Sequence, residues 1–284
     1  MTTEHAARVF SLLPGQAVDV DSLVANRLTL DLPVEAGDEW RQVNDASIDE
    51  YLAHHGAEQY PEAVKNHMTL FSGFIAKHLL ALGGRTVLDV GCGVGTHYPL
   101  YVRDIAASIS YVGLDPIKIN LERDYPFICG RLEDLAKHGL SRPSDVVLFA
   151  TSLDHFENVQ TALTLAGQLV GKGRILLWVG LHDSPAVSSI VGAKVFARLC
   201  QISASPFLRI LGLLAYTVLR APKLFFKLYQ RERTLARGGR LDKFHFHYFV
   251  RDTLLQILGQ SGTVEELVLL PGSNSCFVAL SPPR

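Results

Sequence analysis

Short, almost wholly apolar runs alternate along this chain with longer stretches whose apolar residues recur every three or four positions. The runs at 87–90, 111–114, 127–129, 146–150 and 175–180 have strand length and end in Gly, Pro, Asp or Ser, which predicts buried strands. Between and before them the spacing is helical: Trp40, Val43, Ile48, Tyr51 and Leu52, then Val64, Met68, Phe71, Phe74, Ile75 and Leu79. A further helix is predicted over 248–262. Two strands over 263–270 and 274–280 follow it, joined by Pro271-Gly272-Ser273. Strands alternating with helices predict an α/β chain built on a doubly wound sheet.

The first strand leads into Asp89-Val90-Gly91-Cys92-Gly93-Val94-Gly95, with glycine at every second position. Glycine lets a backbone turn sharply and approach a ligand closely. The spacing D-x-G-x-G-x-G differs from the G-x-G-x-x-G of a dinucleotide turn, and no Gly-Lys-Ser/Thr phosphate loop is present. The second strand ends in Asp115-Pro116, where one carboxylate can accept hydrogen bonds from both hydroxyls of a ribose. That device serves any nucleoside cofactor. The third strand is followed by Gly130-Arg131-Leu132-Glu133, and the fourth runs into Ala150-Thr151-Ser152-Leu153-Asp154-His155.

These landmarks together resemble the class I S-adenosylmethionine (SAM)-dependent methyltransferases over about 83–183 and 244–281. The resemblance implies a seven-stranded sheet of order 3-2-1-4-5-7-6 with the last strand antiparallel. It also implies a helical cap (1–82), a SAM-binding core (83–183), a helical insertion after the fifth strand (184–241) and a closing part of the core (242–284). By the same resemblance Asp89, Gly91, Gly93 and Gly95 shape the methionine pocket, and Asp115 with Pro116 holds the ribose. The backbone at Ala150 and Thr151 faces the SAM amino group. The adenine turn departs from the family pattern, because Arg131 stands where many relatives carry an acid. Either Glu133 takes that role, or Leu132 and backbone hold the ring alone.

An alcohol acceptor must lose a proton, and histidine titrates near neutrality. His155 lies at the C-terminal end of the fourth strand, where open α/β sheets place ligands, with Asp154 beside it. It is the expected base. His245 and His247 alternate in Phe244-His245-Phe246-His247-Tyr248, so both are expected on one side of an extended segment entering the cleft. His97 is compatible with a place toward the cofactor or toward solvent. No ligand spacing demands a metal, and none is expected.

Composition changes the picture mainly through charge. The 284-residue chain carries a net charge of −1, but 184–241 holds ten Lys/Arg against one acid, Glu232. Arg198, Arg209 and Arg220 leave only ten uncharged residues between successive arginines, too few for a membrane span. Arg220, Lys223, Lys227 and Arg231 fall on one helical face among Leu and Phe, a composition suited to a membrane surface or an amphiphilic acceptor. The plainer reading, which comes first, is a solvated basic face on a lid packed against the core. Four scattered cysteines and an N-terminus without signal-peptide order fit a cytoplasmic protein, with peripheral contact at the inner membrane face through 194–231 as an extension.

The expected function is methyl transfer from SAM to a small-molecule or saccharide acceptor, free or lipid-linked, at oxygen. N- or C-methylation of a secondary metabolite, quinone or lipid is the alternative within the class. A non-catalytic membrane-surface binding protein is the alternative outside it. Nucleic acid is disfavoured, because Ala150-Thr151-Ser152-Leu153 stands where many base N-methyltransferases carry Asn/Asp-Pro-Pro-aromatic.

Overall fold

The computed structural model describes residues 9–10, 12, 15–34, 37, 40–42, 45, 48, 60, 62–118, 122–181, 207, 210, 226, 229–230, 233–234, 245–270 and 273–283. Its strands are β1 (Val9–Phe10), β2 (Thr29–Asp31), β3 (Thr86–Val90), β4 (Ser110–Asp115), β5 (Phe127–Cys129), β6 (Val146–Ala150), β7 (Arg174–Gly180), β8 (Thr263–Leu269) and β9 (Ser275–Ser281). They form one sheet of order β1-β2-β5-β4-β3-β6-β7-β9-β8. Counted from β3, this is the expected order 3-2-1-4-5-7-6. β9 runs antiparallel to both β7 and β8, and the other pairings are parallel.

Two strands were not expected. The segment read as a purely helical cap adds β1 and β2 to the sheet beside β5. Leu28-Thr29-Leu30-Asp31-Leu32 alternates apolar with polar residues, and that period of two buries Leu30 and Leu32 at the sheet edge. Helix α1 (Val20–Asn26) precedes it, capped by the Asp19 carboxylate accepting from Ser22 N at 3.1 Å. Of the helix predicted around Trp40, residues 40–42, 45 and 48 are helical, while Val43, Tyr51 and Leu52 lie outside the described residues. So do the insertion's basic face, Arg220, Lys223, Lys227 and Arg231, and the turn residues Pro271 and Gly272.

Helix α2 (Glu62–Leu82) lies on one face of the sheet, and its predicted apolar stripe packs there. Phe71 and Ile75 bury against Tyr111, Trp178 and Phe277 in a cluster that also takes Tyr101 from the short helix α3 (Leu100–Arg103). The opposite face carries α1, α4 (Leu132–His138), α5 (Val159–Val170) and α6 (Arg251–Ser261), packed on Leu88, Val90, Val112, Leu114 and Phe149. With helices on both faces, the central strands are buried along their whole length, which is why they read as continuous apolar runs.

The entrances of β3 and β6 are clasped by Asp145. Its Oδ2 accepts from Arg85 N (2.7 Å), Thr86 N (2.8 Å) and Thr86 Oγ1 (2.7 Å). Partial burial pushes this carboxyl up, but the Thr86 and Arg85 donors outweigh it and hold the group below the usual carboxylate range. The bonded, ionised form therefore stabilises the fold above the ordinary carboxylate pKa and is lost as pH falls through its lowered value. Asp145→Ala is expected to cost about 2 kcal/mol at neutral pH by urea unfolding, with the gap to wild type narrowing below about pH 4.

Candidate cofactor and acceptor site

At the C-terminal end of β3 the chain enters a left-handed turn, with φ of +76° at Gly91 and +78° at Gly93. A Cβ on Gly91 would lie 2.4 Å from Ser152 Cβ, so both conformation and space require glycine there. Gly95 is different. A Cβ on it would meet only His97 O, at 3.6 Å, and the space it opens belongs to a cavity of about 770 Å3.

The turn is held from β4 and from the loop before β5. Leu114 O accepts from Gly91 N (2.8 Å) and Cys92 N (3.3 Å), and Asp115 Oδ2 accepts from Gly93 N (2.8 Å). Arg123 donates to Gly95 O (2.6 Å) and Gly93 O (3.0 Å), while Tyr125 OH donates to Gly95 O (2.8 Å). The guanidinium lies 3.8 Å from the Phe127 ring centroid. Sequence reading missed Arg123 and Tyr125 because they sit in a connection with no motif.

Asp89 is not where the resemblance put it. Its position on β3 faces α2 and α3 rather than the cavity, and it is fully buried. Oδ2 accepts from Tyr101 OH and Tyr111 OH, both at 2.7 Å, whereas Oδ1 has no hydrogen-bond partner among the described residues. Burial pushes its carboxyl up to about 6, against the pull of the two phenols. Asp89 thus ties β3 to α3 and β4 on the core side.

Asp115 lines the cavity, with Pro116 next to it. Besides Gly93 N, its carboxylate accepts from Ile117 N at 2.9 Å. Burial raises its pKa, opposed by those two N–H groups and by the charges of Arg123 and His155. Two carboxylate oxygens offer about four lone-pair sites, so acceptor capacity remains for a diol in the cavity. Leu132 and Glu133 line the cavity at the start of α4. Arg131 Nη2 lies 2.9 Å from Glu133 Oε1 and 3.8 Å from Glu157 Oε2, and its guanidinium stands 5.1 Å from the Trp40 ring centroid. Glu133 Oε2 is buried with no hydrogen-bond partner among the described residues, an acceptor suited to an amino group.

Ala150 and Thr151 also line the cavity, at the end of β6. Thr151 holds φ at +59°, a strained value for a β-branched residue, with its N donating to Trp178 O at 2.8 Å. An open glycine-lined floor, a ribose-type carboxylate and an orphaned acceptor in the cavity wall fit the nucleoside cofactor that the sequence implies. The cavity volume falls within the range of small-molecule sites.

The turn after β6 carries Asp154 and His155, and His155 lines the cavity. His155 Nε2 lies 3.9 Å from Asp154 Oδ1, and His245 Nε2 lies 3.7 Å from Asp154 Oδ2. The two imidazoles sit 4.8 Å apart between centroids. His245 and His247 do not share one side of an extended strand. Phe246 N and His247 N both donate to Asp154 O, at 2.9 and 3.2 Å, and consecutive N–H groups aimed at one carbonyl break the pleat. Phe246 consequently lines the cavity, His245 stands beside His155, and His247 Nε2 lies 3.1 Å from Glu157 O. His97 is exposed at the rim, paired with Asp124 at 2.9 Å.

The proton on Asp89 is held more tightly in the fold than at its ordinary pKa of 3.8. Its contribution therefore favours the fold below about pH 4 and is lost as pH rises through about 6, a difference of about 3 kcal/mol. A carboxyl resonance titrating at about 6 is expected in carbon-13 spectra, moving higher in Tyr111→Phe. A midpoint near 4 in the wild type would contradict this burial.

A family profile described as "Methyltransferase domain" matches residues 57–264. No curated protein matches the chain. Among solved structures it is similar to the N-methyltransferase NodS from Bradyrhizobium japonicum in complex with S-adenosyl-L-homocysteine. That pair is 13% identical with a TM-score of 0.49, over 87% of this chain and 100% of that one. It is also similar to the plantazolicin methyltransferase BpumL with a desmethyl-plantazolicin analogue and S-adenosyl-L-homocysteine, at 16% identity and TM-score 0.42, over 93% and 98% of the two chains. A third is an O-methyltransferase family protein from Burkholderia thailandensis, at 13% identity and TM-score 0.42, over 86% and 68%. None is close enough in shape to carry an acceptor over to this chain. The family match spans most of the sequence and takes in the glycine turn, Asp115 and the strands around them, so the chain belongs to the class I SAM-dependent methyltransferases, with SAM as its cofactor.

Proposed function

We propose that this methyltransferase acts on a hydroxyl oxygen of a small-molecule or saccharide acceptor, with His155 as the base. The observation that carries the reading is the place of His155. It lines the cavity beyond Thr151, with the Asp154 carboxylate close enough to stabilise an imidazolium.

On this reading Asp115 accepts from the ribose hydroxyls, and the open floor at Gly93 and Gly95 takes the methionine portion. The backbone at Ala150 and Thr151 meets the amino group, while Leu132 and Glu133 bound the adenine. Bound SAM supplies a sulfonium methyl with a good leaving group. The chain's own task is then to align the acceptor oxygen, exclude water and receive one proton at the His155 imidazole. Trp40, Tyr60, Trp178 and Phe246 give the cavity aromatic walls suited to a flat ring or the apolar face of a sugar.

Asp115→Ala is expected to abolish calorimetric binding of SAM and S-adenosylhomocysteine. His155→Ala is expected to keep that binding and to lower transfer to hydroxyl acceptors about 10²- to 10⁴-fold. Transfer that survives His155→Ala favours N- or C-methylation, where no hydroxyl proton has to leave.

A second reading concerns where the acceptor is met. Phe207, Ile210, Phe226 and Tyr229, the large apolar residues described within the insertion, are each more than half exposed, in a segment with ten basic residues and one acid. No described helix is long and apolar enough to cross a membrane. Exposed aromatics among lysines and arginines support peripheral contact with anionic lipid. Co-sedimentation with phosphatidylserine vesicles is expected to fall sharply on reversing Lys223, Lys227 and Arg231 to Glu. Binding that ignores the reversal removes the membrane reading.

A further inference from the structure

We infer that Asp154, His155 and His245 form a binding site for a divalent transition-metal cation such as Zn2+. One ligand atom from each of the three lies within 4.8 Å of the others. No sequence spacing announces this, because His245 is ninety residues beyond His155 and arrives from the far side of the insertion. The fold makes the meeting obligatory. The Asp154 carbonyl takes the N–H groups of Phe246 and His247, and this fixes the preceding residue, His245, beside the Asp154 carboxylate.

The donor set selects the ion. Two imidazoles and one carboxylate suit Zn2+, Co2+ or Ni2+ better than Mg2+, which prefers oxygen ligands and keeps its waters. Three protein ligands leave a fourth tetrahedral position open. Bond lengths of about 2.0–2.2 Å imply ligand-to-ligand edges of about 3.4 Å in a filled tetrahedral site. The nearest nitrogen–oxygen approaches here are 3.9 Å, from His155 Nε2 to Asp154 Oδ1, and 3.7 Å, from His245 Nε2 to Asp154 Oδ2, and side-chain rotation brings one oxygen and both nitrogens, already within 4.8 Å of one another, around a single ion. Side-chain exposures of 15% for Asp154, 22% for His155 and 31% for His245 leave an entry path while removing most of the competing water. Asp154 Oδ1 is buried without a hydrogen-bond partner among the described residues, which is the state of a carboxylate oxygen that a cation would satisfy.

The cation state and the base role exclude each other, since His155 Nε2 cannot hold a metal and accept a proton together. Binding itself needs only the three side chains, so the site goes beyond the proposed reaction and does not depend on it.

The test is Zn2+ binding to the chelator-treated full chain, without SAM or acceptor, read by competition with a chromogenic chelator. Saturable binding of one Zn2+ is expected. His245→Ala and the near-isosteric Asp154→Asn are each expected to weaken it at least about 10-fold. Both variants are first shown to fold by their retained calorimetric binding of S-adenosylhomocysteine. His138→Ala, a histidine elsewhere on the surface, is expected to bind as the wild type does. Co2+ in place of Zn2+ should give the visible absorption bands of a four-coordinate ion, lost in His245→Ala. Absence of saturable binding, or equal affinity in His245→Ala, overturns the site. That outcome leaves the His155 base standing, and indifference of methyl transfer to His155→Ala would leave the cation site standing.

Discussion

The Asp115 carboxylate sits where two adjacent parallel strands let go of each other, and it ties the turn after β3 to the end of β4. At the ends of β3 and β4 the ladder runs out, yet the turn after β3 has to stay open and shaped. Asp115 accomplishes this by accepting from Gly93 N while Leu114 O accepts from Gly91 N and Cys92 N. Arg123 and Tyr125 take the carbonyls on the other side of the turn, so both polar edges of a glycine-rich segment are spoken for. Glycine's conformational freedom would otherwise cost order in the floor of the cavity. The same carboxylate faces the cavity, so a group that shapes the floor also presents acceptor capacity to whatever lies on it.

The cavity wall at the start of α4 solves a charge problem by a different route. Arg131 stands where an acid is usual, but Glu133 and Glu157 neutralise it and Trp40 covers its guanidinium face. A cation there acts as a brace between α4 and the turn after β6 rather than as a ligand. Glu133 retains one oxygen, buried and unmatched among the described residues, for the cavity.

Strand identity was legible because buried parallel strands are continuous apolar runs, and the seven core strands stand in the order their landmarks implied. Asp115, Leu132, Ala150 and Thr151 were legible because spacing after a strand end fixes position in an open sheet. What stayed hidden depended on direction or on distance along the chain. Asp89 follows the strand's alternation into the core, a matter of which face is packed, and two tyrosines from separate elements claim it. β2 is three residues long and finds its place only through β5. Arg123 carries no motif, and its role exists only once the glycine turn has folded over it. His245 was noted, but its neighbour Asp154 is a tertiary fact, set by two N–H groups sharing one carbonyl.

That shared carbonyl has an evolutionary consequence. The insertion leaves the sheet at Leu181, whose N–H is fastened to Asn274 O at 2.6 Å, and the chain returns at Phe246 and His247 onto Asp154 O. Backbone groups fasten the chain at both junctions, and those bonds do not constrain which side chains lie between them. The span between two such fixed posts can be rewritten in length and sequence while His155 and the glycine floor keep their places. A lineage can in this way rewrite the insertion without reopening the problem of holding the cofactor.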